Sequence, residues 1–273
     1  MKLLIFTNSN RGLACIDYIK KNHEIIKIFS YDNLKPYIDK KYYLKCPKNI
    51  NSKKFISSIK HLKPNIVLLA GFDQIFSENF INSIGCIFLN LHAGDLPKMR
   101  GSSPLNWSLI NDHKFININI IKIDKTIDGG DILQTKKIKI EENTTIKELH
   151  EEVNFHFPKM VNLVLNNIKK NKIKMKKQNS NYSYYPKRFK EDGFILFDQN
   201  TAKEIHNKIR ALSDPYPNAF SFFDSKKIKF LKSTIPKNNF YGEPGRIYQV
   251  NKNKILVSAN DKALWIYTNF NFK

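Results

Sequence analysis

The chain has 273 residues, 41% of them hydrophobic and 26% charged, which excludes a disordered or fibrous protein and leaves room for one large domain with a smaller appendage. A net charge of +22 suggests nucleic acid, yet only five of the 46 basic residues are arginine, and abundant Lys, Asn and Ile follow from A/T-rich codons as readily as from an anionic partner. Cys15, Cys46 and Cys86 form no Cys-x-x-Cys pair, so a disulfide framework or a zinc site is not expected, and no apolar run is long enough to span a bilayer.

The opening run Leu3–Thr7 is apolar, but Asn8, Ser9, Asn10 and Arg11 end it too early for a secretory signal. It reads as a first strand, and a cytoplasmic protein is expected. Further strands are predicted at Glu24–Ser30, Asn65–Ala70 and Cys86–Leu91. Helices alternate with them at Leu13–Lys21, Lys53–Leu62 and Glu78–Ile84. This alternation predicts an α/β fold, a doubly wound, Rossmann-like and mainly parallel sheet, with ligands at the carboxyl ends of its strands. Phe115–Asp124 and Ile132–Lys139 add two more strands.

Thr145-Ile146-Lys147-Glu148 matches a capping box, opening a helix along Leu149, Val153, Val161, Leu163, Val164 and Ile168 that Pro158 is expected to kink. The Lys- and Asn-rich stretch Asn171–Tyr182 reads as a surface connection. Beyond it lie a helix at Ala202–Leu212, the turn Asp214-Pro215-Tyr216-Pro217 and four short strand-like runs near residues 219, 228, 247 and 256. They suit a small, partial OB-like barrel. The expected domains are 1–180 and 181–273.

The densest cluster of unusual residues is Asn90-Leu91-His92-Ala93-Gly94-Asp95-Leu96-Pro97-Lys98-Met99-Arg100-Gly101, directly after an apolar strand. Asn90 and His92 are two apart, so they face the same way while the chain stays extended. A second loop, Asp124-Lys125-Thr126-Ile127-Asp128-Gly129-Gly130-Asp131, is acidic and glycine-rich. Alone, an Asn-x-His after a strand is commonly a turn beside a satisfied histidine, and Asp-Gly-Gly a hairpin turn. The remaining histidines (His23, His61, His113, His150, His156 and His206) read as surface or packing residues.

Together, these motifs resemble the folate-dependent formyltransferases, in which Asn-x-His is followed by a Leu-Pro-x-x-Arg-Gly loop and by an aspartate 36 residues beyond the histidine. Asp128 stands at that distance from His92. Ala70-Gly71-Phe72-Asp73-Gln74-Ile75-Phe76 is similar to the family's pterin-binding strand end, and the likeness extends over nearly the whole chain. The resemblance implies a catalytic Asn90, His92 and Asp128. It also implies a folate ring held around Gln74, Ile75, Phe76, Ile81, Asp124 and Ile127, N10-formyltetrahydrofolate as co-substrate, and no metal. One departure is Gly94-Asp95 where relatives often have Ser-Leu, so contacts of that serine are not carried over and Asp95 is expected to add a charge near the amine.

The chemistry wants these residue types. An attacking amine must lose a proton, which suits histidine. The formyl oxygen becomes an oxyanion, which suits a fixed amide donor, and a carboxylate beside the imidazole orients it.

The expected acceptor is an NDP-linked, dTDP-type 3- or 4-amino-dideoxyhexose destined for a surface polysaccharide such as an O-antigen. Three stretches look like the sugar-nucleotide branch of the family: Arg100-Gly101-Ser102-Ser103-Pro104-Leu105-Asn106-Trp107, Tyr184-Tyr185-Pro186-Lys187-Arg188 and Asp214-Pro215-Tyr216-Pro217-Asn218-Ala219-Phe220-Ser221. The competing acceptor is methionyl-tRNA. Against it stand the lack of a basic, Gly-rich insertion after the second strand and a tail of 60 residues from Asp214. Glycinamide ribonucleotide formyltransferases are shorter and lack the C-terminal extension. A basic RNA-binding protein on a relic transferase fold would make salt-sensitive contacts that need no His92. Ser9, Asn10 and Arg11 are candidate phosphate contacts before a helix. Arg100, Asn106, Tyr184, Tyr185 and Arg188 are further substrate candidates. A homodimer is expected, with no nucleic-acid or membrane partner.

Overall fold

The computed structural model describes residues 1–272. In chain order the elements are β1 (Lys2–Thr7), α1 (Asn10–Ile19), β2 (Glu24–Ser30), β3 (Tyr43–Lys45), α2 (Lys53–Leu62), β4 (Ile66–Ala70), α3 (Glu78–Ile84), β5 (Ile87–His92), the two-residue β6 (Arg100–Gly101) and α4 (Pro104–Ile110). There follow β7 (Phe115–Lys122), β8 (Ile132–Lys139), α5 (Ile146–Lys169), the two-residue β9 (Tyr184–Tyr185), α6 (Ala202–Leu212), β10 (Ala219–Phe223), β11 (Lys226–Thr234), β12 (Ile247–Asn251), β13 (Lys254–Ser258) and β14 (Ala263–Thr268).

Two compact units interleave along the chain. One comprises Met1–Gly101, Asn117–Ile138 and Glu151–Tyr184; the other comprises Ser102–Ile116, Lys139–His150 and Tyr185–Lys273.

The first unit is built on a seven-stranded sheet of order β3-β2-β1-β4-β5-β7-β8. Leu3, Leu4, Ile5 and Phe6 are all fully buried, the mark of a central strand covered on both faces. β1 pairs in parallel with β2 and β4, and β4 pairs in parallel with β5. β5 meets β7 antiparallel. The doubly wound, mainly parallel sheet is therefore as the alternating sequence predicts. Phe6, Phe29, Phe55, Phe72, Phe76, Phe80 and Phe88 fill one side with edge-on and stacked rings. The helices carry orthodox signals. Ser52 and Ser77 cap α2 and α3 by accepting from Phe55 N and Phe80 N, and Gly85, at φ 67°, ends α3 in the left-handed conformation that glycine adopts without steric cost.

α1 starts at Asn10, three residues before its expected start. α5 opens on the expected capping box, with Thr145 N donating to Glu148 Oε2 at 2.8 Å and Glu148 N to Thr145 Oγ1 at 3.3 Å. The helix is assigned continuously through Pro158. Its buried stripe runs Ile146, Leu149, Val153, Phe157, Met160, Val161, Val164 and Leu165, whereas Leu163 is 46% exposed. Of the expected positions Leu149, Val153, Val161 and Val164 are buried, Ile168 is half-buried and Leu163 is exposed.

The second unit holds a five-stranded antiparallel sheet of order β10-β11-β14-β13-β12. Four of those strands match the four short runs in the sequence; β14, which pairs with β11 and β13, is the addition. Thr201 and Glu204 form a reciprocal cap on α6, whose Ile205 and Ile209 join Ile228, Phe230, Val257 and Leu264 in the core. Arg210 of α6 is 4% exposed; its guanidinium donates to Thr144 O at 3.0 Å and its Nε to Asn207 Oδ1 at 3.0 Å.

Candidate active site

Asn90 and His92 end β5, which is hydrogen-bonded on one side to β4 and on the other to β7. Leu91 between them is buried, so alternation along the strand puts Asn90 and His92 on the same face. Asp128 reaches them from the loop joining β7 to β8. All three belong to the first unit. Asn90 Nδ2 donates to Asp128 Oδ1 at 3.0 Å. His92 Nδ1 lies 3.4 Å from Asp128 Oδ2, with side chains 5% and 12% exposed. The Gly101 amide donates to Asp128 Oδ2 at 3.0 Å.

The other imidazole nitrogen, His92 Nε2, is 2.6 Å from the Met99 carbonyl. A carbonyl only accepts, and so does an ionised carboxylate, so the imidazole is held between an acceptor at each ring nitrogen. Asn90 has a second amide hydrogen beyond the one spent on Asp128. The arrangement thus brings an imidazole, a carboxylate and a fixed neutral amide donor together at one strand end.

The loop carrying Asp128 is tightly constrained. Asp128 itself has φ 51°, in the left-handed region that aspartate tolerates better than most residues. A Cβ on Gly130 would lie 1.7 Å from Lys122 O, and one on Gly129 would lie 2.1 Å from Thr126 Oγ1. The glycines of Asp128-Gly129-Gly130 are therefore needed for close packing. Asp124 Oδ1 accepts from Thr126 N and Thr126 Oγ1, an Asx turn that starts the loop.

The loop after His92 is tied to β7. Asn119 Nδ2 donates to Gly94 O at 2.7 Å, and Asp95 Oδ1 accepts from Asn117 N. Asp95, expected to bring a charge toward the amine, accepts from the backbone of β7 through one carboxylate oxygen.

The residues expected around a folate ring behave differently from one another. Ile75 and Ile127 are 65% and 47% exposed, while Phe76 is 6% exposed and stacked edge-on against Phe80 at 4.7 Å. Gln74 Nε2 donates to Tyr31 Oη at 2.8 Å and Pro47 O at 3.1 Å. Ile81 packs against the aromatic core. For Phe76 only the main chain remains to meet a ligand, whereas Gln74 and Ile81 are half-buried.

Several substrate candidates need correction. Asn106 is 2% exposed and its amide donates to Ala211 O at 2.8 Å, which makes it a packing residue of the second unit. Arg100 is 6% exposed; its Nε and Nη2 donate to Gln178 Oε1 at 3.1 and 3.0 Å, and its guanidinium lies 4.4 Å from the Tyr182 ring centroid. Ser9 spends its hydroxyl on Ala70 O at 3.3 Å and makes no side-chain cap on α1. Burial reassigns Arg100 and Asn106 to structure, while Ser9 stays half-buried with its hydroxyl on Ala70 O.

Other candidates keep accessible surface. Asn10 is exposed at the first turn of α1, and the Arg11 guanidinium lies 5.1 Å from the Phe157 ring centroid. Tyr184 is 49% exposed. In the second unit, Tyr185 Oη accepts from Asn111 Nδ2 at 3.2 Å, and Arg188 stacks 4.7 Å from the Trp107 ring centroid and donates to Asp192 O. Arg188, Trp107, Lys187 and Lys208 line a cavity of about 700 Å³ within that unit. Gln178, Met99 and Gly101 escaped the sequence reading. Gln178 sits in the polar stretch expected to be a surface connection, and the other two act through backbone atoms, which carry no side-chain signal.

Among the described residues no group of three or more His, Cys, Asp or Glu is placed to hold a metal, and no helix is long and apolar enough to cross a membrane.

The "Formyl transferase" family pattern matches residues 4–165, and the "Formyl transferase, C-terminal domain" pattern matches residues 187–270. With the fold, they define a formyl-group transferase. The chain belongs to the formyl transferase family. Over 255 residues it is 38% identical to the bifunctional polymyxin resistance protein ArnA of Wigglesworthia glossinidia brevipalpis, covering 93% of this chain but only 38% of that longer protein. It is 31% identical to the methionyl-tRNA formyltransferase of Macrococcus caseolyticus, covering 81% of this chain and 70% of that enzyme. The fold also matches the N-formyltransferase from Helicobacter canadensis, solved in complex with folinic acid and dTDP-3-aminofucose. The TM-score is 0.76 at 21% identity, over 99% of this chain and 100% of that one.

Proposed function

We propose that this chain moves a formyl group from N10-formyltetrahydrofolate to the amine of a dTDP-linked 3- or 4-amino-dideoxyhexose, giving a formamido sugar for a surface polysaccharide. The observation that carries the reading is the hydrogen-bonded cluster of Asn90, His92 and Asp128 at one strand end. The formyl donor suits the residues present: exposed Ile75 and Ile127 offer apolar side chains, on two strand-end loops, for a flat ring to cover. When bound, it supplies the electrophilic formyl carbon.

In this reading His92 takes the proton released as the amine nitrogen bonds to that carbon, and returns a proton to the departing nitrogen of the donor. The free N–H of Asn90 meets the developing oxyanion. Asp128 holds the imidazole in orientation and balances its charge. Of the nucleotide contacts expected from the sequence, Asn10, Arg11, Tyr184, Tyr185 and Arg188 remain candidates. The internal segment after β2 supports a sugar acceptor, because Asp32–Tyr37 forms a single short 3₁₀ turn with no basic, Gly-rich insertion. The match to the Helicobacter canadensis enzyme, end to end, is consistent with the same acceptor class.

The second reading, methionyl-tRNA as acceptor, is favoured by relatives at 29–32% identity that carry that name. Purified protein, the formyl donor and a panel of dTDP-amino sugars provide the test by mass spectrometry. A mass gain of one formyl group on a sugar is expected; formylated methionyl-tRNA with untouched sugars would replace this reading with the second.

A further inference from the structure

Gln178 lies in the Lys- and Asn-rich stretch between α5 and β9, flanked by exposed residues yet itself half-buried. Its side-chain amide uses its full hydrogen-bonding capacity. Nε2 donates to Asp128 O and to Gly130 O, both at 2.8 Å. Oε1 accepts from Arg100 Nε at 3.1 Å and Nη2 at 3.0 Å. Two donors and two lone pairs are all that a glutamine amide has. The segment is anchored two residues earlier, where Lys176 and Ile132 exchange backbone hydrogen bonds at 2.9 Å in each direction.

We propose that Gln178 is a positioning residue for formyl transfer, clamping the Asp128 loop against Arg100 so that the carboxylate keeps its place beside His92 and Asn90. The inference rests on the role given to Asp128 above. Three observations carry it. Asp128 is held at φ 51°, a conformation that persists only where its surroundings fix it. The two carbonyls Gln178 grips belong to Asp128 itself and to Gly130, spanning the turn. The same carboxylate accepts from the Gly101 amide, and Gly101 follows Arg100, so Gln178, Arg100, Gly101 and Asp128 close a ring of contacts that ties the loop after β5 to the loop after β7. Glutamine is the residue this ring requires. A glutamate would accept equally well from Arg100 but would turn an oxygen toward two carbonyl oxygens.

That difference separates positioning from mere support of Arg100. In Gln178→Glu the arginine keeps its partner while the grip on Asp128 O and Gly130 O is lost; in Gln178→Met both are lost. Both variants are expected to lose about 10–100-fold in kcat, the scale of a small misplacement, with KM for formyl donor and amine unchanged. Hydrogen exchange in the peptide spanning residues 124–131 is expected to rise in both, with α5 unchanged. Wild-type kcat, a loss carried by KM, or wild-type exchange in that peptide in Gln178→Glu overturns the proposal. Should the wild-type protein formylate no amine at all, the proposed function fails, and the exchange measurement alone then decides whether Gln178 clamps the loop.

Discussion

His92 Nδ1 stands 3.4 Å from Asp128 Oδ2, while the two oxygens of that carboxylate also accept from Asn90 Nδ2 and from the Gly101 amide. One carboxylate therefore orients both the imidazole and the amide. Asp128→Asn keeps the shape but replaces an acceptor by a donor on one side of the group. Turnover is expected to fall by about 10²–10⁴, the range of acid–base help, with binding of the formyl donor retained. Steady-state rates and a direct binding titration check this, and a near-normal kcat would remove Asp128 from the site.

Asn90→Ala removes the candidate oxyanion donor and one tether of Asp128. A loss of about 10²–10³ in kcat is expected, with KM little changed, because the interaction strengthens only as charge develops on the formyl oxygen. A change confined to KM would assign Asn90 to binding instead.

Much of this site was legible in the sequence. A two-residue separation on a strand is enough to bring Asn90 and His92 to one face, and family spacing found Asp128 across a loop whose path periodicity does not reveal. Gln178 was not legible. Its neighbours Lys177, Asn179 and Ser180 are those of any solvated linker, and its partners lie 50 residues away on Asp128 and 78 away on Arg100. Arg100 and Asn106 were misread for the same reason: side-chain chemistry is local, but burial is decided by distant segments such as Gln178 and Ala211. In the fold, β14 was overlooked because its Ala263–Thr268 run follows β13 after a short polar turn and sits between β11 and β13 only through long-range pairing.

Thiol chemistry gives a structural check. Burial pushes the Cys15 and Cys46 thiols up to about 12 and that of Cys86 up to about 11. All three are free cysteines, and little thiolate exists at pH near 8. Slow labelling by a disulfide reagent is expected in the native protein, with three equivalents reacting after denaturation. Rapid native labelling would contradict the packing of α1 and of the residues that follow β3 and precede β5.

One source of acid sensitivity lies in the second unit. Burial, followed by the nearby Arg210 cation, lowers the His206 pKa from its usual 6.5, and its Nδ1 is 3.0 Å from Ser233 Oγ. The folded state keeps the ring neutral further into acid than the unfolded chain does. Its contribution is full above about pH 6.5 and is lost as pH falls below that value. Urea midpoints at about pH 7.5 and about pH 5.5 are expected to fall more for wild type than for His206→Gln; equal falls would assign the acid sensitivity to other groups.

The acceptor is decided most directly by competition. One reaction with formyl-labelled donor, methionyl-tRNA and a mixture of dTDP-3-amino and dTDP-4-amino sugars, run with wild type and with His92→Ala, reads acceptor and catalyst together. Label is expected on one amino sugar, absent from tRNA and lost in His92→Ala. Label on methionyl-tRNA alone, or a His92→Ala protein that still labels the sugar, would contradict the account.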